Sequence, residues 1–260
     1  MDLHLGGKTA IVTGASKGIG RAVARLLAEE GCHLHIASRT EADLAALAEE
    51  IRGKHQVNVT IHPMDLGLSG QPEALAEAAG DVDILVNNAG AIPGGSLDKV
   101  DEETWRHAWN LKVFGYVNLT RAVYARMKAR GGGSIVNVIG TAGERQDFNY
   151  VAGSAGNASL MAFTRAMGSD SAKDNIRVVA CNPGMIETER LVTLLQNAAK
   201  NKGLDPADWR QMTSHLPFGR PGTAAEVADL VAFLASDRAS YISGTVVTID
   251  AGQAARGNLF

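Results

Sequence analysis

The residues with the clearest chemistry are the glycines of TGASKGIG, residues 13–20, set between an apolar run at 9–12 and a helix-like segment at 21–30. A strand that ends in glycines lets the backbone approach an anion, and the free N–H groups that open the next helix favour negative charge. Gly14 suits the tight turn, Gly18 the close approach and Gly20 the packing of helix on strand. Gly14, Ser16, Lys17, Gly18, Ile19 and Gly20 are therefore candidate contacts for a pyrophosphate. The spacing G-x-x-x-G-x-G differs from the commoner G-x-G-x-x-G, so the turn alone also fits a plain strand-to-helix connection. Ser38 lies 20 residues beyond Gly18 and Arg39 follows it. A site that prefers NAD offers an acid to the ribose hydroxyls in this region, whereas arginine suits a 2′-phosphate. With Arg39 and Lys17 both cationic, the reading is NADP(H) in preference to NAD(H). The alternative is that Arg39 pairs with Glu41 or Asp43 in water, an interaction worth little.

The elements that must position these residues follow from the hydropathy pattern. Strand candidates fall at 9–12, 33–37, 57–62, 84–86, 134–138, 177–180 and 246–249, with helix candidates at 19–30, 41–52, 72–79, 101–130, 150–168 and 224–235. Alternation of short β-branched runs with longer amphipathic segments implies a parallel sheet covered by helices on both faces, a doubly wound α/β fold. Thr223-Ala224-Ala225-Glu226 reads as a capping box that starts the last long helix. At 260 residues, 45% hydrophobic and 20% charged, with no linker-like stretch, one domain over 1–260 is expected. The net charge of -3 and a pI near 6.2 argue against a nucleic-acid or anionic-membrane partner. Neither a signal-peptide pattern nor a membrane-spanning run is evident, so a cytoplasmic protein is expected, with Cys32 and Cys181 as buried thiols.

Further motifs fall at strand ends, where such a sheet binds its ligand. They are Asp65-Leu66, Asn87-Asn88-Ala89-Gly90, Asn110 in WNLKVFG, Pro183-Gly184-Met185-Ile186-Glu187-Thr188, and Tyr241-Ile242-Ser243-Gly244 leading to Asp250-Ala251-Gly252. Together with residues 13–20 the chain resembles the short-chain dehydrogenase/reductase family along nearly its whole length. The resemblance implies a Rossmann-type single domain. It places Asp65 and Leu66 beside the adenine, Asn88, Ala89 and Gly90 at the cofactor ribose, and Ile186 and Thr188 at the nicotinamide carboxamide. Asn87 would clamp neighbouring strands. A homo-oligomer, dimer or tetramer, is implied as well.

The family's active centre has a Ser after the fifth strand, a Tyr 13 residues later, a Lys four after that, and an Asn on the preceding long helix. Here the aligned positions are Gly140, Gly153 and Asn157, and of the four only Asn110 remains. The framework keeps its spacing and loses its acid/base groups. Reduction of a carbonyl by a nicotinamide hydride still requires a proton at the developing alkoxide. Tyr150 is the nearest replacement, one turn before Gly153, and on a helix it would share a face with Ser154 and Asn157. With a pKa of about 10, only about one such phenol in a thousand is ionised at pH 7, a penalty of about 4 kcal/mol, so Tyr150 suits proton donation and not base catalysis. Asn110, Tyr150 and Asn157 are the catalytic candidates. The bland alternative for Tyr150 is a half-buried aromatic at a helix start.

Gly153 and Gly156 inside a helix each cost up to about 1 kcal/mol relative to alanine, which implies either room for a ligand beside the nicotinamide or a close helix contact. Residues 188–217 would cover the substrate, with Leu191, Leu194 and Leu195 as an apolar stripe and Asp205-Pro206 opening a further helix. His33 and His35 share a strand face without a third ligand at metal spacing, and no metal is expected. Ser154 lacks the setting of a nucleophile elbow. The expected function is NADP(H)-dependent reduction of a small carbonyl or activated alkene at an atypical site. The alternatives are a dinucleotide-binding pseudoenzyme that senses or assembles, and a non-redox lyase-type enzyme on the same fold.

Overall fold

The computed structural model describes residues 1–256. In chain order the elements are β1 Thr9–Thr13, α1 Gly18–Glu29, β2 His33–Ser38, α2 Glu41–Lys54, β3 Val59–Pro63, α3 Gln71–Ala79, β4 Ile84–Asn87 and α4 Glu102–Trp109. There follow α5 Gly115–Arg130, β5 Gly133–Val138, α6 Val151–Gly168, β6 Ile176–Pro183, β7 Ile186–Glu187, α7 Glu189–Asn201, β8 Gly222–Thr223, α8 Ala224–Ala235 and β9 Val246–Ile249. Seven strands form one parallel sheet in the order β3-β2-β1-β4-β5-β6-β9, and β7 pairs with β8 separately. The strand order reverses between β1 and β4, which opens a crevice at their carboxyl ends.

Both sheet faces are buried, so the strands carry apolar residues in succession. Ala10 and Val12 point to a core shared with Leu27 of α1, Leu44 of α2 and Val231 of α8, while Ile11 and Leu85 face Leu75 of α3 and Leu119 and Val123 of α5. Asn87 is buried, and its Nδ2 donates to Thr120 Oγ1 at 3.0 Å and Asn137 Oδ1 at 2.9 Å; Asn137 in turn donates to Thr164 Oγ1 at 3.0 Å. That chain stitches β4 and β5 to α5 and α6 and engages both Nδ2 hydrogens of Asn87, as a buried amide favours. The capping box at Thr223 and Glu226 is formed, and Cys32 and Cys181 are buried free thiols. Among the described residues no helix is long and apolar enough to cross a membrane.

Several boundaries differ from the sequence reading. The third strand begins at Val59 and not at 57, because Asn58 turns its N–H to His33 Nδ1 at 3.0 Å. The sixth runs on to Pro183 because β9 pairs with it through Pro183↔Ile249. The segment expected as one helix over 101–130 is interrupted at Asn110–Phe114 by one π-helical turn. Such an extra-residue turn re-aims the side chains beside it and frequently marks a functional site. Tyr150 lies outside α6, at φ −142° and ψ 39°, so it does not share a helical face with Ser154 and Asn157. The further helix read from Asp205-Pro206 is present as a 3₁₀ helix over Pro206–Thr213, with Asp205 as its N-cap. His35 is paired with His62, Nδ1 to Nε2 at 2.9 Å, and no cluster of metal-ligating side chains occurs among the described residues.

Candidate active site

The crevice is a cleft of about 870 Å³ running from the end of β2 to the end of β5, under α7. Its floor at one end is the glycine turn. Gly14 and Gly18 have φ of 65° and 55°, which a side chain would strain, and a Cβ on Gly14 would stand 2.9 Å from the Ala89 Cα. Thr13 holds that approach: its hydroxyl donates to Val86 O at 3.3 Å and accepts from the N–H of Asn88 at 2.9 Å and of Ala89 at 3.0 Å. Asn88 Nδ2 completes the tie on Thr13 O at 3.0 Å. Gly20 sits behind the turn, where a Cβ would come within 2.3 Å of Gly14 O, so it packs the helix on the strand and does not line the cleft.

Of the cofactor candidates, Gly14, Ser16, Lys17, Gly18, Ile19, Arg39, Leu66, Asn88, Ala89, Gly90, Ile186 and Thr188 line the cleft. Asp65 does not; its Oδ1 accepts the Gly67 N–H at 2.9 Å and shapes the loop after β3. Arg39 makes no ion pair among the described residues, whereas Lys17 approaches Asp43 at 3.6 Å. Ser38 Oγ, beside Arg39 in the same wall, is buried and has no hydrogen-bond partner among the described residues. A second orphan, Asn157 Oδ1, lies at the opposite end behind Gly140. A buried hydroxyl without a partner in the wall of a cleft with a glycine floor fits a dinucleotide whose phosphate would engage Ser38, while Asn157 stands one layer behind the wall.

The three catalytic candidates are not brought together. Asn110 opens the π turn and is exposed, bordering an outer groove with Glu102, Glu103 and Arg106. Tyr150 packs with Trp105 and Trp109 against Ile92, Val100, Ala108 and Ala152. Its ring lies over the Cα of Gly153, so that a Cβ there would stand 2.1 Å from both Cε1 and Cζ. With Cζ so close to that point, the phenol oxygen one bond further cannot stand where the hydroxyl of a tyrosine rooted at 153 would, a whole ring away. Desolvation raises the Tyr150 pKa, with the Arg190 charge opposing. Gly153 therefore gives room to Tyr150 and not to a ligand. Gly156 admits Ile92 Cδ1 and Trp109 Nε1, each 3.3 Å from its would-be Cβ, a close contact within the chain. Ser154 is a structural tie, its hydroxyl accepting the Asp147 N–H at 3.1 Å.

Sequence reasoning missed Lys112. It belongs to the π turn and lines the cleft, and its Nζ donates to Ile139 O at 2.9 Å and Val138 O at 3.3 Å, the last carbonyls before Gly140. Burial pushes its pKa down to about 8, with the Arg190 charge adding to the effect. A regular helix through 101–130 gave no reason to single this lysine out; its place two residues after Asn110 was the only available signal. On the other side of the mouth α7 contributes Glu189, Arg190, Thr193 and Leu194. Thr188 caps α7, accepting the Leu191 N–H at 3.4 Å, and Arg190 Nη2 reaches across to Ile92 O at 2.9 Å.

The comparisons agree with this architecture. The short chain dehydrogenase family model matches residues 8–199. The 3-oxoacyl-(acyl-carrier-protein) reductase FabG of Thermotoga maritima is 34% identical over 259 residues, covering 96% of this chain and 99% of that protein. The NADPH-dependent reductase BacG of Bacillus subtilis is 32% identical over 254 residues, covering 94% and 97%. L-Sorbose reductase from Gluconobacter frateurii, solved with NADPH and L-sorbose, superposes with a TM-score of 0.94 at 31% identity, covering 99% of this chain and all of that one. Fold and crevice define a protein of the doubly wound, dinucleotide-binding class. The chain belongs to the short-chain dehydrogenase/reductase family.

Proposed function

We propose that the protein is an NADP(H)-dependent reductase of a small carbonyl compound or activated alkene, built as one domain with residues 188–217 covering the substrate and working as a homo-oligomer in the cytoplasm. The observation that carries the cofactor choice is the end of β2, where Arg39 and the Ser38 hydroxyl, neither with a partner among the described residues, share a wall with Lys17. A guanidinium and a hydroxyl recognise a phosphate well, and an unpaired hydroxyl has most to gain from one. The relatives named for NADPH support the same choice.

In this reading the N–H groups of the glycine turn and the start of α1 hold the pyrophosphate, and Ile186 and Thr188 face the carboxamide. Asn157 Oδ1 accepts a hydrogen bond from a hydroxyl that approaches past Gly140, where no side chain blocks the way. NADPH, when bound, supplies the hydride. Arg190 and the first turn of α7 close the mouth by the bond to Ile92 O and exclude water from the reacting carbonyl. The test is a fluorescence titration with NADPH and NADH, followed by loss of nicotinamide absorbance with a 3-oxoacyl thioester, L-sorbose and an α-diketone. Tighter binding of NADPH and cofactor-dependent consumption of one carbonyl are expected. The emptied positions at Gly140, Gly153 and Asn157 favour a second reading, dinucleotide binding without hydride transfer, and tight binding with no turnover of any of the three would favour it over the first.

A further inference from the structure

Resting on that reading, we propose that Lys112 is the proton donor of the reductase, replacing from the neighbouring π turn the groups missing at 140, 153 and 157. Its stem passes directly over Gly90: a Cβ there would stand 2.3 Å from Lys112 Cδ and 3.4 Å from Cγ and Cε. Gly90 therefore makes the passage, and the π turn supplies the extra residue that aims the chain along it. At the far end two carbonyls, Ile139 O and Val138 O, fix the nitrogen beside Gly140, at the mouth of the emptied centre. Val138 O is itself steadied by the Tyr116 hydroxyl at 2.9 Å. An ammonium has three donors, and the two that are engaged leave one for the cleft that Lys112, Ile139 and Gly140 line together.

The alternatives are weaker on geometry. Asn110 is on the outer surface, and the Tyr150 ring covers Gly153 and falls short of the place a tyrosine hydroxyl rooted there would reach. The charged and titratable groups around Lys112 are Arg190 and Glu189 from α7, which share its cleft, and Tyr116 from α5, under its amine; Tyr150, ahead of α6, packs apart with Trp105 and Trp109, and Lys17 and Arg39 lie toward the phosphate end of the same cleft. Of these, Tyr116 is held protonated by burial, and Arg190 is occupied with Ile92 O. A pKa of about 8 suits the task, since about nine in ten such amines carry the proton at pH 7 yet release it far more readily than an ordinary lysine. In the step, the C–H bond that bound NADPH would give up breaks as its hydride adds to the carbonyl carbon, leaving the oxidised NADP+, while an N–H bond of Lys112 breaks and an O–H bond forms on the carbonyl oxygen, whose C=O π bond is lost. The product is the alcohol, and the neutral amine regains its proton from water once the mouth opens.

Lys112→Met tests this with an unbranched chain of similar reach. With the carbonyl that wild type consumes fastest and saturating NADPH, single-turnover hydride transfer is expected to fall by about 100-fold or more, while the NADPH dissociation constant changes less than about threefold. The wild-type rate should decline above a midpoint near pH 8, and that inflection should be absent from the residual rate of the variant. Independently of activity, acetic anhydride labelling of the wild-type apoprotein followed by mass spectrometry should give a Lys112 midpoint near pH 8, with protection by NADPH. A variant that transfers hydride at the wild-type rate, one whose whole defect is lost NADPH binding, or a labelling midpoint near that of ordinary lysines would each overturn the proposal and leave the reductase reading standing. Wild type that consumes no NADPH with any carbonyl of the panel would sink the reductase reading, and the proposal with it.

Discussion

Adding a single methyl group at Gly153 tests how the tyrosine-shaped gap was filled. In an unobstructed helix interior Gly→Ala stabilises by about 1 kcal/mol, because glycine gives up more backbone freedom on folding. Gly153 is in α6, two residues after its start, and the new Cβ would lie 2.1 Å from Tyr150 Cε1 and Cζ and 2.6 Å from Cε2. No real contact is that short, so the ring must leave its place against Trp105, Trp109 and Ile92. Re-exposing a half-buried aromatic costs on the order of 2 kcal/mol. Gly153→Ala should therefore destabilise by about 1 kcal/mol net, while the same change in a Tyr150→Ala background should stabilise by about 1 kcal/mol, a coupling of about 2 kcal/mol. Urea unfolding of the four proteins in the cycle at 25 °C measures it, provided the slopes with denaturant stay equal. A Gly153→Ala variant more stable than wild type would refute the reasoning, since the ring would then have no stake in the glycine.

Three further outcomes are expected. Arg39→Ala should weaken NADPH binding by about 10- to 100-fold, the equivalent of one charge-assisted hydrogen bond, and leave NADH nearly unchanged; equal losses in parallel titrations would remove Arg39 from the phosphate. Gly90→Ala should displace the Lys112 stem, now 2.3 Å from the new methyl, and move the amine's labelling midpoint from about 8 back up toward the ordinary lysine range, whereas an unmoved midpoint would show that the stem runs elsewhere. Glu50 is held by Arg25, Lys54 and Arg21 with its pKa lowered from 4.5 to about 2, so its contribution is present above about 4.5 and is lost as pH falls toward 2. Glu50→Gln should flatten the stability profile over that window, and acid titrations of thermal unfolding midpoints would expose an unchanged slope.

Much of the fold was legible because its signals are local. The glycine turn, the β-branched runs buried on both faces, the Thr223 capping box and the strand-end motifs each depend on a few adjacent residues, and they fixed both the crevice and most of the side chains that line it. At the positions that the family resemblance assigns to Ser, Tyr and Lys, the sequence carries Gly140, Gly153 and Asn157. The place of Lys112 in the cleft was not legible. A π turn inserts one residue into a helix whose periodicity looks continuous, and only the packing of Leu111 and Lys112 toward the cleft, with Asn110 turned outward, reveals it. Tyr150 has the right type and lies three residues before the aligned position, yet one non-helical backbone pair at its φ and ψ folds its ring onto Gly153. Sequence determined which groups were available and which were gone. Tertiary structure decided which of them meet, because Gly90 and Lys112, or Lys112 and Ile139, lie 22 and 27 residues apart and touch only when β4, α5 and β5 are packed together.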